Sequence, residues 1–398
     1  MVRSPTDALR SVIGTASGDA AALFALALVL RAEWWGDVGT TVARDATRYV
    51  AWCGDLSIST LFGSRALVYS GYWLPYCGWL RATGEFVAGW VGIQVLLSAL
   101  VPVVVYATAR QHAGRAAGLV AGGAMAVQWE VYRWAVRPQS EFAMTVAVAL
   151  ALWRLGRYHL DATRRNRLLA FASLGLVATV RPNGLPIVAA YVLYDCLPDA
   201  SGRRLNVFFR QKVNLAIAGT LAALVAYRLR FGWARGSVLV HWREGTVVTP
   251  DRVVYEYPAE PASGVVSFFL ANAEHALALV TLRGLWFFSP VMPGWSTSHA
   301  VKAAVTLTPL LVGAALGIGR AWRDDRALLA LWGTPLAAIL VTAMGTWVAG
   351  WRNFLGAAVV VYALFTGYYV SRTAWPDRVR SVAESLSVAP TNSRDDRS

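Results

Sequence analysis

The chain has 398 residues, of which 56% are hydrophobic, and a formal net charge of +14. With a mean hydropathy of +0.45, long apolar runs from residue 20 to residue 371 exclude a set of soluble domains and imply one polytopic membrane domain. The basic excess does not indicate a nucleic-acid partner, because the arginines cluster in short loops between apolar runs rather than on a soluble face laced with stacking aromatics.

In chain order, Arg3 and Arg10 precede the first apolar run. Asp19 lies inside that run and no small-residue cleavage pattern follows, so a retained first helix is expected rather than a cleaved signal. Ten spans follow from the apolar runs, at roughly 14–34, 86–108, 115–134, 140–156, 168–181, 183–197, 212–230, 299–319, 327–347 and 352–371. The expected fold is therefore an all-α polytopic membrane protein with about ten transmembrane helices. Residues 1–375 form the membrane domain and 376–398 a polar cytoplasmic tail.

Orientation follows from the basic residues. Clusters at the N-terminus, Arg110–Arg115, Arg154–Arg167, Arg203–Lys212, Arg320–Arg326 and the tail from Arg372 all fall on one side of a ten-span chain. That side is the cytoplasm by the positive-inside rule, so both termini are cytoplasmic in a multi-pass cell-membrane protein. Two long segments, 35–85 and 231–298, are then outside.

The first outer segment holds Asp45, Arg48, Tyr49 and Trp52 at i, i+3, i+4 and i+7. A helix there puts an acid, a base and two aromatics on one face, and the aromatics that follow suggest short helices lying in the membrane interface. Cys53 and Cys77 share this segment, either as a disulfide or as a reduced pair. No Cys/His cluster of metal-binding spacing exists. In the second outer segment, Val265 to Met292 reads as a re-entrant or surface helix rather than an eleventh span, which would invert everything after it. His241, Arg243, Glu244 and Asp251 there read as a solvated loop face, and His275 and His299 carry less signal still.

Charge near the membrane marks further candidates. Glu130, Arg133, Arg137 and Glu141 fall on one helical face until Pro138 breaks it. They form either an ion-paired stripe or an outward pocket for an anionic group. Arg181, in the turn Arg181-Pro182-Asn183-Gly184, and Arg352, before the last span, either snorkel to the headgroups or aim a planar guanidinium at a phosphate.

The order of these pieces carries a resemblance. DATRY in the first outer loop is followed by GYWLPYCGWLRATGEFVAGWVGIQVLLSALVPVVVYATAR and HAGRAAGLVAGGAMAVQWEVYRWAVRPQSEFAM. LLAFASLGLVATVRPNGLPIVAAYVL comes next, and WRNFLGAAVVVYALF lies near the end. The chain resembles the GT-C membrane glycosyltransferases, closest to the protein-mannosyltransferase and aminoarabinose-transferase group that uses polyprenyl-phosphate sugars. The resemblance covers most of 15–197 and returns at 350–371.

It implies transfer of a sugar from a polyprenyl- or dolichyl-phosphate donor to a glycan, lipid or protein acceptor on the outer face, with inversion. It implies Asp45 as the catalytic residue, acting as base or orienting the acceptor hydroxyl, with Glu141, Arg181 and Arg352 at matching family positions; Arg48, Tyr49 and Arg137 join them as substrate-binding candidates from their own helical spacing. The family often has a second acid beside the first, where this chain has Ala46. No cofactor is firmly implied, and a divalent cation stays open. A flippase for lipid-linked saccharides would show internal repeats and helices broken at mid-membrane, which the sequence lacks. A catalytically inactive subunit of the same fold is the other alternative.

Overall fold

The computed structural model describes residues 16–42, 44–63, 65–84, 86–196, 240–248, 253–256, 259–260, 265–346 and 351–373. The expected span at 212–230, Asp251 and the tail 376–398 lie outside them. Among the described residues every regular element is helical, with one isolated antiparallel bridge between Thr246 and Val254.

The first helix, α1 (Ala16–Val38), is followed by the short elements of the first outer segment. These are α2 (Arg44–Gly54), α3 (Ile58–Gly63), a 3-10 turn at Arg65–Tyr69, and α4 (Ser70–Thr83). Then come α5 (Val87–Val127), α6 (Trp129–Tyr132), α7 (Ser140–Leu160), α8 (Arg164–Val180) and α9 (Gly184–Cys196). After the undescribed stretch follow α10 (Val265–Ala271), α11 (Ala273–Phe287), α12 (Thr297–Asp324), α13 (Arg326–Gly345) and α14 (Trp351–Ser371). By length and composition α5, α12 and α13 are able to cross a membrane, while Gly184–Asp195 and Leu355–Ser371 are shorter apolar helices.

The 41 residues of α5 are not one rod, which at 1.5 Å per residue would be about 60 Å long, twice a bilayer core. Gly114 sits at φ 86°, ψ −179°, a conformation that other residues rarely adopt. A Cβ at Gly118 would lie 2.8 Å from the Tyr106 ring, and one at Gly122 would lie 2.9 Å from the Pro102 carbonyl. Each pair of positions sums to the same number, so the two arms run antiparallel about a turn at Gly114. The sequence expects two spans here, and the arms correspond to them.

Local capping sets several boundaries. Thr163 accepts from the Asn166 amide to start α8, Ser296 from His299 to start α12, and Asp325 from Leu328 to start α13. Asp19, inside the first apolar helix, is held by Arg115 through Nε (2.7 Å) and Nη2 (2.8 Å) and by the Tyr106 hydroxyl (2.9 Å). That bidentate pairing explains how a carboxylate is tolerated there.

At the centre stands α14. Leu355, every residue from Ala357 to Phe365, and Tyr368 are buried, so the helix is apolar all round because it touches neighbours all round. Within lipid, close backbone approach replaces hydrophobic drive, and small residues permit it. Gly313 and Gly317 of α12 lie against Thr366 and the Phe365 carbonyl, and Gly367 lies against the Ala117 carbonyl of α5. A Gly317→Val variant drives methyl groups into that carbonyl, an overpacking cost of about 1–3 kcal/mol. It should unfold at lower temperature than wild type in detergent. Gly319→Val, on the face where nothing lies within 4 Å, should not.

One expectation needs correction. The span expected at 115–134 ends at Val127, because Gln128 is extended (φ −71°, ψ 101°) and its side chain bonds both the carbonyl and the hydroxyl of Thr306. Only the four-residue α6 and a run of turns lead from there to Ser140. Glu130, Arg133, Arg137 and Glu141 therefore do not share a helical face. In the second outer segment the chain breaks at Asn272, whose side chain bonds both the amide and carbonyl of Glu260. There α11, about 22 Å long, packs on α13. Its Arg283 is buried and donates to the Thr246 and Met344 carbonyls, and His275 is buried against the Trp242 carbonyl.

Candidate active site

The best-defined polar centre lies where α2, α7 and the end of α8 meet. Glu141, in the first turn of α7, forms an ion pair with Arg181 (Nη1 to Oε2, 2.8 Å). Arg181 ends α8 with an extended backbone (φ −154°, ψ 154°), because Pro182 follows and disfavours the helical conformation before it. Gly184 restarts the chain as α9 where a Cβ would collide with the Val177 carbonyl. The two charges are 4% and 5% exposed, so the pair is buried rather than solvated. Burial opposes the charge on Arg181, but Glu141, Tyr69 and Tyr49 outweigh it and push its pKa above the ordinary arginine value.

Ser140 links this pair to the first outer segment. Its hydroxyl accepts from Arg181 Nη1 (3.1 Å) and bonds the Tyr49 hydroxyl (2.8 Å). Burial, opposed by Arg181 and reinforced by Glu141 and Tyr69, pushes the Tyr49 phenol up to about 12, so it stays protonated at neutral pH. Tyr49 packs against Tyr69 and Tyr72 (centroids 5.9 and 5.2 Å). The Arg48 guanidinium sits 4.9 to 5.3 Å from the rings of Tyr69, Trp52 and Tyr49, a cationic group in an aromatic box.

Beneath the box, Gln94 of α5 accepts from the Tyr72 hydroxyl (2.7 Å) and Trp90 (3.0 Å). It donates to the carbonyls of Ala135 and Arg137 (3.0 and 2.7 Å), tying the segment before Ser140 to the box.

The structure thus brings Arg48, Tyr49, Glu141 and Arg181 together. Arg137 enters through its carbonyl, while its guanidinium lies over Trp134 (4.9 Å). The backbones of Asp45 and Arg352 belong to α2 and α14, but their side chains lie outside the described residues. Asp45 is one helical turn before Tyr49, and Arg352 is one turn before Gly356, which packs against Thr145 of α7. The two other acids of the loop have different surroundings. Asp37 is exposed at the end of α1. Exposed Asp55 accepts from Thr60 (2.6 Å), and bonds from Thr60 and Ser57 hold its carboxyl below the usual range.

Ala46 is fully buried, so a second carboxylate beside Asp45 would have no water around it. Among the described residues no group of three or more His, Cys, Asp or Glu side chains gathers as a metal would require. Sequence reasoning missed Ser140 and Gln94. Ser140 carried a faint signal as a hydroxyl adjoining a charged residue at a helix start; Gln94 carried only its polarity inside an apolar run.

A disulfide between Cys53 and Cys77 joins α2 to α4, and Arg81 adds a bond from Nη2 to the Cys53 carbonyl (2.9 Å). The bridge is one of the two alternatives left open by spacing. Breaking it by Cys53→Ser should cost about 2–4 kcal/mol. The measurement is the thermal midpoint with and without reductant: wild type should fall toward the variant, and the variant should not respond.

Residues 84–227, a little over a third of the chain, match the family model described as dolichyl-phosphate-mannose-protein mannosyltransferase. That match covers Glu141 and Arg181 and begins after the segment that carries Asp45. The resemblance drawn from the sequence holds over it. No curated protein matches the chain.

Proposed function

We propose that the chain transfers a sugar from a polyprenyl-phosphate donor to an acceptor hydroxyl at the outer membrane face, through about ten spans with both termini cytoplasmic. The observation that carries this is the buried run Tyr49–Ser140–Arg181–Glu141, which locks the helix of Asp45 against the preorganised guanidinium of Arg181. Asp45 takes the proton of the acceptor hydroxyl as its oxygen attacks the anomeric carbon. The bond from that carbon to the phosphate oxygen breaks, and the electron pair leaves on the lipid phosphate. Arg181, with Arg352, offsets the charge that develops there. One displacement inverts the anomeric carbon.

The disulfide supports the outer placement of residues 35–85, since such bridges persist in oxidising compartments. The aromatic box suits a loop at the headgroup boundary.

The test is transfer by the purified chain in nanodiscs from radiolabelled polyprenyl-phosphate mannose. Product with inverted configuration supports the reading. No transfer from any polyprenyl-phosphate sugar, with folding intact, would leave the inactive-subunit alternative. Arg352→Ala should raise the KM for the lipid donor about tenfold and leave that of the acceptor within twofold; an unchanged donor KM removes Arg352 from the phosphate site.

A further inference from the structure

Arg283 is a buried charge that the transfer reaction leaves unused. It is fully buried on α11, on one face with His275 and Leu279. Among the described residues it pairs with no carboxylate. Its Nε and Nη2 donate to the Thr246 carbonyl (3.1 and 2.8 Å), and its Nη1 donates to the Met344 carbonyl (3.1 Å). Its guanidinium lies 4.3 Å from the Trp242 ring. A guanidinium taken out of water without a counter-ion costs free energy, so these partners have to offset it.

The partner at Met344 belongs to the end of a helix. The last carbonyls of α13 have no amide to accept from within the helix, and they form the negative end of its dipole. The Met344 carbonyl takes Arg283, and the Gly345 carbonyl takes Trp242 Nε1 (2.9 Å). Trp242 is held in turn, since its own carbonyl accepts from His275 Nε2 (2.7 Å). Thus α11 and the segment 240–248 grip the last turn of α13 by its backbone, which fixes where the chain leaves that helix. Only residues 346–350 separate this point from α14, so the exit from α13 restricts where α14 begins. On its other side α14 leans on the centre. A Cβ at Gly356, one turn after Arg352, would lie 3.5 Å from the Glu141 carbonyl.

We propose that Arg283 and Trp242 are positioning residues for the lipid donor. By clamping the C-terminal end of α13 they fix the start of α14, and with it Arg352, against the Glu141–Arg181 centre. The proposal rests on the reading that Arg352 meets the donor phosphate. It gives the second outer segment a task in donor binding. A clamp that served folding alone would be felt by donor and acceptor alike.

The experiment is a titration of the full chain in phosphatidylcholine nanodiscs with undecaprenyl phosphate, beside the donor and acceptor KM in the transfer assay. Small misplacements of a binding group are costly, so Arg283→Gln should weaken undecaprenyl phosphate about fivefold and Trp242→Phe about threefold. The acceptor KM should stay within about twofold of wild type. Trp242→Phe keeps a ring beside Arg283 and deletes only the N–H, so it carries the test where Arg283→Gln lowers folding yield. Placed on Arg352→Ala, each clamp variant should weaken binding by less than about twofold further, because it acts through the guanidinium already removed. Equal losses with and without Arg352 overturn the proposal and leave the clamp to folding. Wild-type affinity in both clamp variants, with Arg352→Ala weakened, also overturns it and leaves the donor reading in place. Wild-type affinity in Arg352→Ala overturns the clamp together with the phosphate role of Arg352. Non-additive losses in a chain that transfers no sugar would support the clamp and overturn the glycosyltransferase reading.

Discussion

Asp45→Asn is expected to abolish sugar transfer, by a factor of about 10³ or more, and to leave the protein folded. The amide keeps the shape of the side chain and removes its capacity to take a proton. General-base assistance contributes about 10² to 10⁴ in rate. Because Tyr49, one turn later, anchors α2 through Ser140, the helix should hold its place in the variant. The measurement is turnover on a polyprenyl-phosphate sugar beside the thermal midpoint. Wild-type turnover by Asp45→Asn would move the base elsewhere in the loop, to Asp37 or Asp55. Both are exposed, and Asp55 is engaged by Thr60.

Arg181→Ala is expected to produce a double loss. It strips the buried Glu141 carboxylate of its partner, which costs about 3–5 kcal/mol for a pair of this kind. It also removes the guanidinium expected to face the departing phosphate. These two effects separate in the double variant Arg181→Met with Glu141→Leu. Replacing both charges by apolar side chains of similar size should restore most of the stability, since a buried pair seldom outperforms good packing. Transfer should stay lost. Recovery of turnover together with stability would make the pair a structural device and nothing more.

Much of this architecture is legible in the sequence because it follows from short-range rules. The basic loop Arg110–Arg115 between two apolar runs marks the turn of α5, and Arg181-Pro182 marks the end of α8, where proline disfavours the helical conformation before it. The aromatic-rich loop is equally local. What escapes is set by distance along the chain. Ser140 meets Tyr49 across 91 residues and Arg181 across 41, and nothing at position 140 announces either. The stripe from Glu130 to Glu141 fails for the opposite reason. Its spacing is helical, but Gln128 finds Thr306, 178 residues away, and that bond accompanies the break in the helix on which the spacing relies. Glu130 then pairs with His299, a residue with little signal of its own.

The burial of α14 on every side has a consequence for biogenesis. This helix is made after all the others that surround it, since chains emerge N-terminus first. Until it arrives, the grooves that receive it, lined by Ala117 and Ala121 of α5 and by Gly313 and Gly317 of α12, have only lipid to face. Among the described helices the bundle is therefore assembled around the one made last, and its keystone is a late arrival rather than a nucleus. Slow steps in maturation should cluster there, and a quality-control system that surveys unfilled small-residue grooves would read this protein as unfinished until α14 is in place.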